Sequence, residues 1–245
     1  IQNTANTKAN ILITGETGVG KSAVAKAIHA ISNRANGPFI EVNCAVLHEN
    51  LIESELFGYE KGAFTGAASG GKIGKIELAN HGTLFLDEIG ELPPHIQSKL
   101  LQLIQEKTIE RLSSNRRIEL DFRLIVATNR NLEEEVQRGL FRSDLFYRLN
   151  VIRVHIPPLR QRPDDILPLA HQFLERFCRE YGKQITFSPR FISFLEQFSW
   201  PGNVRQLENL MERLVITSQD PILDTTALPL DYGADTAAPA STGGT

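Results

Sequence analysis

Two cysteines, one methionine and one tryptophan among 245 residues leave few sulfur or indole groups on which to build chemistry. Cys44 and Cys178 stand far apart with no CxxC or CxxH spacing, and the six histidines show no paired ligand spacing either. That argues against a zinc knuckle, an iron–sulfur centre or a disulfide framework, and for reduced thiols in the cytoplasm. No apolar run approaches the roughly 18 residues that a membrane span needs, and no secretory leader opens the chain, so no membrane partner is expected. A net charge of −3 gives no global pull toward nucleic acid. No repeat at solenoid period is present. What is there is 41% apolar residues, enough to fill a core in one large or two modest domains.

Short apolar runs alternate with amphipathic stretches, the pattern of an α/β layer fold with a parallel sheet. Ile11 to Thr14 reads as a buried strand entering a glycine loop, and Phe39 to Val42, Leu84 to Leu86, Leu124 to Ala127 and Val151 to Ile156 read as four more. Helical spacing puts Val24, Ala27, Ile28 and Ile31 on one face of a helix from Ala23 to Ile31, and Ile96, Leu100, Leu103 and Ile104 on the face of another. After Pro157-Pro158 and Pro163 the strands are expected to stop, leaving helices over about Asp164 to Tyr181, Pro189 to Gln197 and Val204 to Ser218. The expected domains are an α/β nucleotide-binding part over 1–160, a helical lid over 161–232, and a linker over 233–245 rich in Ala, Gly, Pro, Ser and Thr. Beginning at Ile1, with Met211 its single methionine, the chain reads as a piece excised from a longer protein.

Gly15-Glu16-Thr17-Gly18-Val19-Gly20-Lys21-Ser22 fits GxxxxGK followed by Ser or Thr, set between an expected strand and an expected helix. Glycines let backbone N–H groups turn inward around phosphate oxygens, and the helix N-terminus adds partial positive charge. Lys21 is then placed to reach the β- and γ-phosphates of ATP, and the Ser22 hydroxyl to ligate Mg²⁺. Thr83 to Leu86 lead into Asp87-Glu88, two carboxylates at the C-terminal end of a buried strand, where parallel sheets bind ligands. Asp87 is expected to hold Mg²⁺ through water and Glu88 to polarise the attacking water. A solvated acidic strand end is the alternative for this pair alone; the glycine loop upstream favours the catalytic reading.

Between the two motifs lies Gly62-Ala63-Phe64-Thr65-Gly66-Ala67. Small residues around one aromatic and one hydroxyl bury little and lose much entropy on ordering. A loop of this kind inside an ATPase is expected to be moved by hydrolysis. GAFTGA after a Walker A motif resembles the AAA+ activator domain of bacterial enhancer-binding proteins, from about residue 8 to residue 220.

The resemblance implies an AAA+ P-loop NTPase, a parallel sheet flanked by helices with a small C-terminal α-helical lid. It implies ATP hydrolysis with Mg²⁺ in a homo-oligomeric ring, a hexamer, whose GAFTGA loop touches sigma-54 and remodels the RNA polymerase holoenzyme. It further implies that Asn43 pairs with Glu88, that Asn129 senses the γ-phosphate, that Arg142 and Arg148 are arginine fingers acting in trans, and that Arg205 reads nucleotide state from the lid. On the residues alone, Asn43 is equally a strand-end cap, Asn129 a turn residue, Arg142 and Arg148 surface ion-pair partners, and Arg205 half of a structural ion pair. Asn203 reads as the cap of the last lid helix. A helical hairpin from about Ile52 to Ala79 is expected to carry the GAFTGA loop. A second insertion, Thr108 to Asp121, holds Arg111, Arg116 and Arg117, which could approach promoter DNA or regulate the first loop, or simply be solvated. The rival readings are another AAA+ remodeller of the helicase-loader or unfoldase type, and a nucleotide-gated binding module whose turnover is incidental. Glu88, Arg142 and Arg148 argue against the second. The sensory and helix-turn-helix domains usual in the family are not legible in this chain.

Overall fold

The computed structural model describes residues 7, 9–63, 70–229 and 232, with residues 49 and 50 described by backbone alone. Two compact units emerge: residues 1–15 with 21–156, and residues 16–20 with 157–245.

In chain order the first unit runs β1 (Ile11–Thr14), α1 (Lys21–Ala30), β2 (Phe39–Asn43), α2 (Glu49–Phe57), β3 (Gly58–Tyr59), β4 (Lys72–Ile73), α3 (Lys75–Leu78), β5 (Thr83–Asp87), α4 (Pro94–Glu106), β6 (Thr108–Glu110), β7 (Arg117–Glu119), β8 (Arg123–Thr128), α5 (Leu132–Gln137), α6 (Ser143–Leu149) and β9 (Ile152–His155). Strands β2, β5, β8, β1 and β9 lie in that order in one parallel sheet. The order accounts for the sequence. Central strands β1 and β8, and β5 up to Leu86, are buried on both faces, so they read as unbroken apolar runs. The edge strands β2 and β9 are only partly covered and carry polar residues between apolar ones. All five expected strands form: β1 with the expected bounds, β2 one residue longer, β5 and β8 one residue longer at each end, and β9 one residue shorter at each end; α4 buries Ile96, Leu100, Leu103 and Ile104 as its spacing requires.

Two local expectations in this unit need correction. The buried face of α1 is Lys21, Ala25, Ile28 and His29; Ala27 is exposed and Ile31 lies beyond the helix, 48% exposed. A stripe drawn through apolar residues misses a face whose ends are polar and satisfied, His29 Nδ1 meeting Thr83 Oγ1 at 2.9 Å. The expected helical hairpin over Ile52 to Ala79 is instead a helix, α2, followed by a β stem in which β3 and β4 pair antiparallel, and a single turn, α3. Gly58 ends α2 at φ 76°, and a Cβ there would stand 2.4 Å from the Lys72 carbonyl oxygen. The stem closes because glycine lets two backbones meet. The second insertion is itself a hairpin, β6 against β7.

The second unit runs α7 (Ile166–Tyr181), β10 (Thr186–Phe187), α8 (Pro189–Gln197), α9 (Asn203–Thr217) and β11 (Ile222–Leu223). The strands do not stop after Pro163: β10 and β11 form a two-residue parallel ladder. Elements this short, some 35 residues apart, leave no alternation for sequence reading to find. The amphipathic faces of α7, α8 and α9 enclose Phe177, Phe191, Leu207, Met211 and the fully buried Trp200, whose Nε1–H donates to the Leu195 carbonyl at 2.9 Å. Emptying a site of that size costs about 3–5 kcal/mol. Ser188 caps α8 by accepting the Phe191 N–H at 3.1 Å, with Pro189 in the first turn.

Both cysteines are free thiols. Burial, aided by the charges of Asp87 and Glu88, pushes the Cys44 thiol up to about 12, which makes it inert.

Candidate functional site

Parallel strands deliver their carboxyl ends to one edge, so the ends of β1, β5 and β8 bring Gly15, Asp87-Glu88 and Thr128-Asn129 together in the first unit. Lys21, 6% exposed at the start of α1, donates from Nζ to the Gly15 carbonyl at 3.1 Å and stands 3.3 Å from Glu88 Oε1. The other Glu88 oxygen accepts the Asn129 backbone N–H at 3.1 Å. Glu88 itself sits at φ 54°, in the left-handed region where a non-glycine residue is strained. Its N–H donates to Asp87 Oδ1 at 3.1 Å. Burial first, and the Glu88 charge second, push the Asp87 carboxyl above the usual carboxylate range. Two crowded carboxylates beside a buried ammonium form a site whose charge balance invites a cation.

Asn43 stands at the end of β2. Its Oδ1 accepts the Ala45 N–H at 2.9 Å, the strand-end cap that its residue type allows. Arg142 lies before α6 in a two-bond pair with Asp144, at 3.0 and 2.7 Å, and reaches Ser98 Oγ at 3.3 Å. That guanidinium holds the Asp144 carboxyl below its ordinary value. Arg148 is exposed on α6, and its guanidinium makes no hydrogen bond or ion pair among the described residues.

Gly62 and Ala63 continue from β3; Phe64, Thr65, Gly66 and Ala67 lie outside the described residues. The stem below them is tied to the second insertion. Arg111 grips Glu77 with bonds of 2.9 and 2.8 Å and Glu60 with one of 3.1 Å, while Glu60 N–H donates to the Leu112 carbonyl at 3.1 Å. Arg117 pairs with Glu110 at 3.2 Å. Two of the three arginines in the basic cluster are thus neutralised within the unit, which takes most of the drive from the DNA reading. The Arg111 tie to both acids was not legible, because its partners lie 34 and 51 residues away.

In the second unit the loop residues 16–20 are held from one side. Arg160 binds the Glu16 carboxylate with two bonds, 2.9 and 2.6 Å. Asn203, fully buried, is not the expected helix cap. Its Oδ1 accepts the Leu159 N–H at 2.7 Å, and its Nδ2 donates to Glu16 Oε2 and to the Thr17 carbonyl, each at 3.1 Å. The start of α9 is closed instead by Gln206, whose Oε1 accepts the Gly202 N–H at 2.9 Å, and by the Arg205 N–H, which donates to the Gly18 carbonyl at 3.2 Å. Arg162 Nη2 donates to the Val19 carbonyl at 2.8 Å. Sequence reading missed Arg160 and Arg162: after Pro158 they resemble any charged turn, and their partners lie more than 140 residues away.

The Ser22 hydroxyl and the Asp87 carboxylate are the oxygen donors here that suit magnesium carried in on a nucleotide. Among the described residues no group of three or more His, Cys, Asp or Glu is placed to hold a metal unaided. A hard cation bound by Ser22 and Asp87 must complete its shell with phosphate oxygens and water.

The chain matches the family model described as Sigma-54 interaction domain over residues 1–155, and that described as AAA+ ATPase lid domain over residues 160–243. It is 52% identical over 226 residues to regulatory protein AtoC of Escherichia coli (strain K12), covering 92% of this chain and 49% of that protein. It is 49% identical over 225 residues to the sigma54-dependent transcriptional regulator SfnR of Pseudomonas fluorescens (strain Pf0-1), covering 91% of this chain and 61% of that one. NtrX from Brucella abortus, in a crystal structure with ADP, superposes with a TM-score of 0.88 at 39% identity, over 98% of this chain and 54% of that chain. The chain therefore spans about half the length of these relatives.

Proposed function

The chain belongs to the sigma-54 interaction domain family of AAA+ proteins, and from that premise we propose that it hydrolyses Mg²⁺-ATP as a cytoplasmic ring and uses turnover to remodel sigma-54 RNA polymerase holoenzyme. One observation carries the reading: Lys21, Asp87 and Glu88 converge at the sheet edge in the same unit that bears the glycine-built stem of the GAFTGA loop.

In the proposed mechanism Lys21 meets the β- and γ-phosphates, and Glu88 exchanges its tie to Lys21 for the attacking water. Ser22 and Asp87 would hold Mg²⁺, which supplies charge neutralisation at the phosphates. The loop Gly15 to Gly20 presents N–H groups to phosphate oxygens, Asn129 reports the γ-phosphate, and Arg205 reads nucleotide state. Asn43, now on the Ala45 N–H, would restrain Glu88 after a change of partner. Arg142 and Arg148 act on a neighbouring subunit's nucleotide, where a guanidinium in trans is worth about 10³–10⁵ in rate. Phe64 and Thr65 make the contact with sigma-54, and Arg111 transmits force between the second insertion and the loop stem through Glu60 and Glu77.

The test is co-migration with sigma-54 on a native gel, with and without an ADP metal-fluoride mimic of the transition state. Complex formation that needs the mimic and is abolished by Thr65→Ala is the expected result. Lys21→Ala should lose nucleotide binding, while Glu88→Gln should bind ATP and turn over at least about 100-fold more slowly. A Thr65→Ala variant that still binds sigma-54 normally would remove the loop from the mechanism. An ATPase rate per subunit that does not rise with protein concentration would remove the ring.

A further inference from the structure

Three consecutive carbonyls of the phosphate loop, residues 17–19 of the second unit, are each held by other residues of that unit. Thr17 O accepts from Asn203 Nδ2, Gly18 O from the Arg205 N–H, and Val19 O from Arg162 Nη2. The residue before them, Glu16, has its carboxylate held by Arg160 and by the same Asn203 Nδ2. No cis peptide bond occurs among the described residues. In a trans peptide the carbonyl of one residue and the N–H of the next point in opposite directions. Holding the carbonyls of residues 17, 18 and 19 on one side therefore aims the N–H groups of Gly18, Val19 and Gly20 to the other. Successive N–H groups turned one way make an anion-binding concavity. The Val19 N–H makes a long contact to the Glu16 carbonyl, at 3.5 Å, which an anion readily displaces.

The fit is close and specific. At Gly18, φ 80°, a Cβ would stand 2.5 Å from the Gly202 carbonyl oxygen and 3.2 Å from Arg205 Cβ, so the loop lies directly on the start of α9. The Asn203 amide has one possible orientation: its Oδ1 must accept the Leu159 N–H, which leaves Nδ2 to donate to the loop.

Resting on the nucleotide reading above, we infer that Arg160, Arg162 and Asn203 are positioning residues for phosphate binding: by fixing Glu16 and the carbonyls of Thr17 and Val19, they aim the loop amides at the β-phosphate. They touch the loop from behind and need not touch nucleotide. Arg162 fixes a single carbonyl at 2.8 Å and pairs with the exposed Asp165 at 3.3 Å, so its removal frees one peptide and one surface ion pair while leaving the hydrophobic core intact.

The experiment uses the whole chain and measures affinity for ADP and for AMP by competition with a fluorescent ADP analogue, alongside the melting temperature without nucleotide. Arg162→Ala should weaken ADP about tenfold, the worth of one hydrogen bond from a charged donor. AMP, which lacks the β-phosphate, should weaken far less, and the nucleotide-free melting temperature should hold. Arg162→Lys should recover most of the loss. Glu16→Arg combined with Arg160→Glu should recover ADP affinity that each single reversal loses. A wild-type chain that binds ADP while Arg162→Ala and Arg160→Ala bind it equally well would overturn the positioning role alone. Equal losses for ADP and AMP, tracking a lowered melting temperature, would overturn it as well. A wild-type chain that binds no ADP overturns the nucleotide reading, and the inference with it.

Discussion

A carboxylate one residue into a phosphate-binding loop is electrostatically awkward, because it repels the anion that the loop must hold. At Glu16 the difficulty is met locally. Arg160, with help from Asn203, neutralises the carboxylate and brings its pKa down from an ordinary 4.5 to about 2. A folded-state value below the unfolded one means that the pair stabilises the fold above the ordinary carboxylate range. That contribution is lost as pH falls through the window from 4.5 to about 2. Both side chains are more than two-fifths exposed, so solvent screening keeps the gain small. Wild type and Glu16→Gln should therefore differ slightly in denaturant midpoint at neutral pH and converge as the solution approaches pH 2; a constant gap across that range would show that the charge is not what matters. At this scale the glycine loop, Lys21 and the Asp87-Glu88 pair were legible because their chemistry is contiguous in sequence. Asn203 was read as a cap because Asn before a helix usually is one. Its actual partners, Glu16, Thr17 and Leu159, are set by tertiary approach, which residue preference does not encode.

Among the elements, those with a strong internal period were read well and those made by close approach were not. The strands β1, β5 and β8 and the helices α4 and α8 announce themselves by apolar runs or stripes. The stem of β3 and β4 does not: two residues a side, its signal is glycine at positions where another backbone passes. Gly58 tests that reading. Alanine there is strained by φ 76° and pressed against the Lys72 carbonyl, costing roughly 1–3 kcal/mol and opening the stem. Because β3 and β4 pair outside the five-stranded sheet whose edge carries Asp87 and Glu88, Gly58→Ala should keep basal ATP turnover while losing mimic-dependent sigma-54 binding on the native gel. Loss of both activities together would mean that the stem also supports the catalytic edge.

At the scale of the whole molecule the described residues form two hydrophobic cores, one around the parallel sheet and one among the lid helices. Two cores in one chain weaken the expectation of a single all-or-none transition. The buried indole of Trp200, packed between Phe194 and Phe198 at centroid distances of 6.4 and 5.0 Å, is the single tryptophan of the sequence. Its emission therefore reports on the smaller core alone, whereas far-ultraviolet circular dichroism sums over both. In a denaturant titration Gly58→Ala should move the dichroism curve and leave the emission midpoint where it was. The protein carries its own optical label, and the order in which its two parts come undone can be followed without attaching a dye.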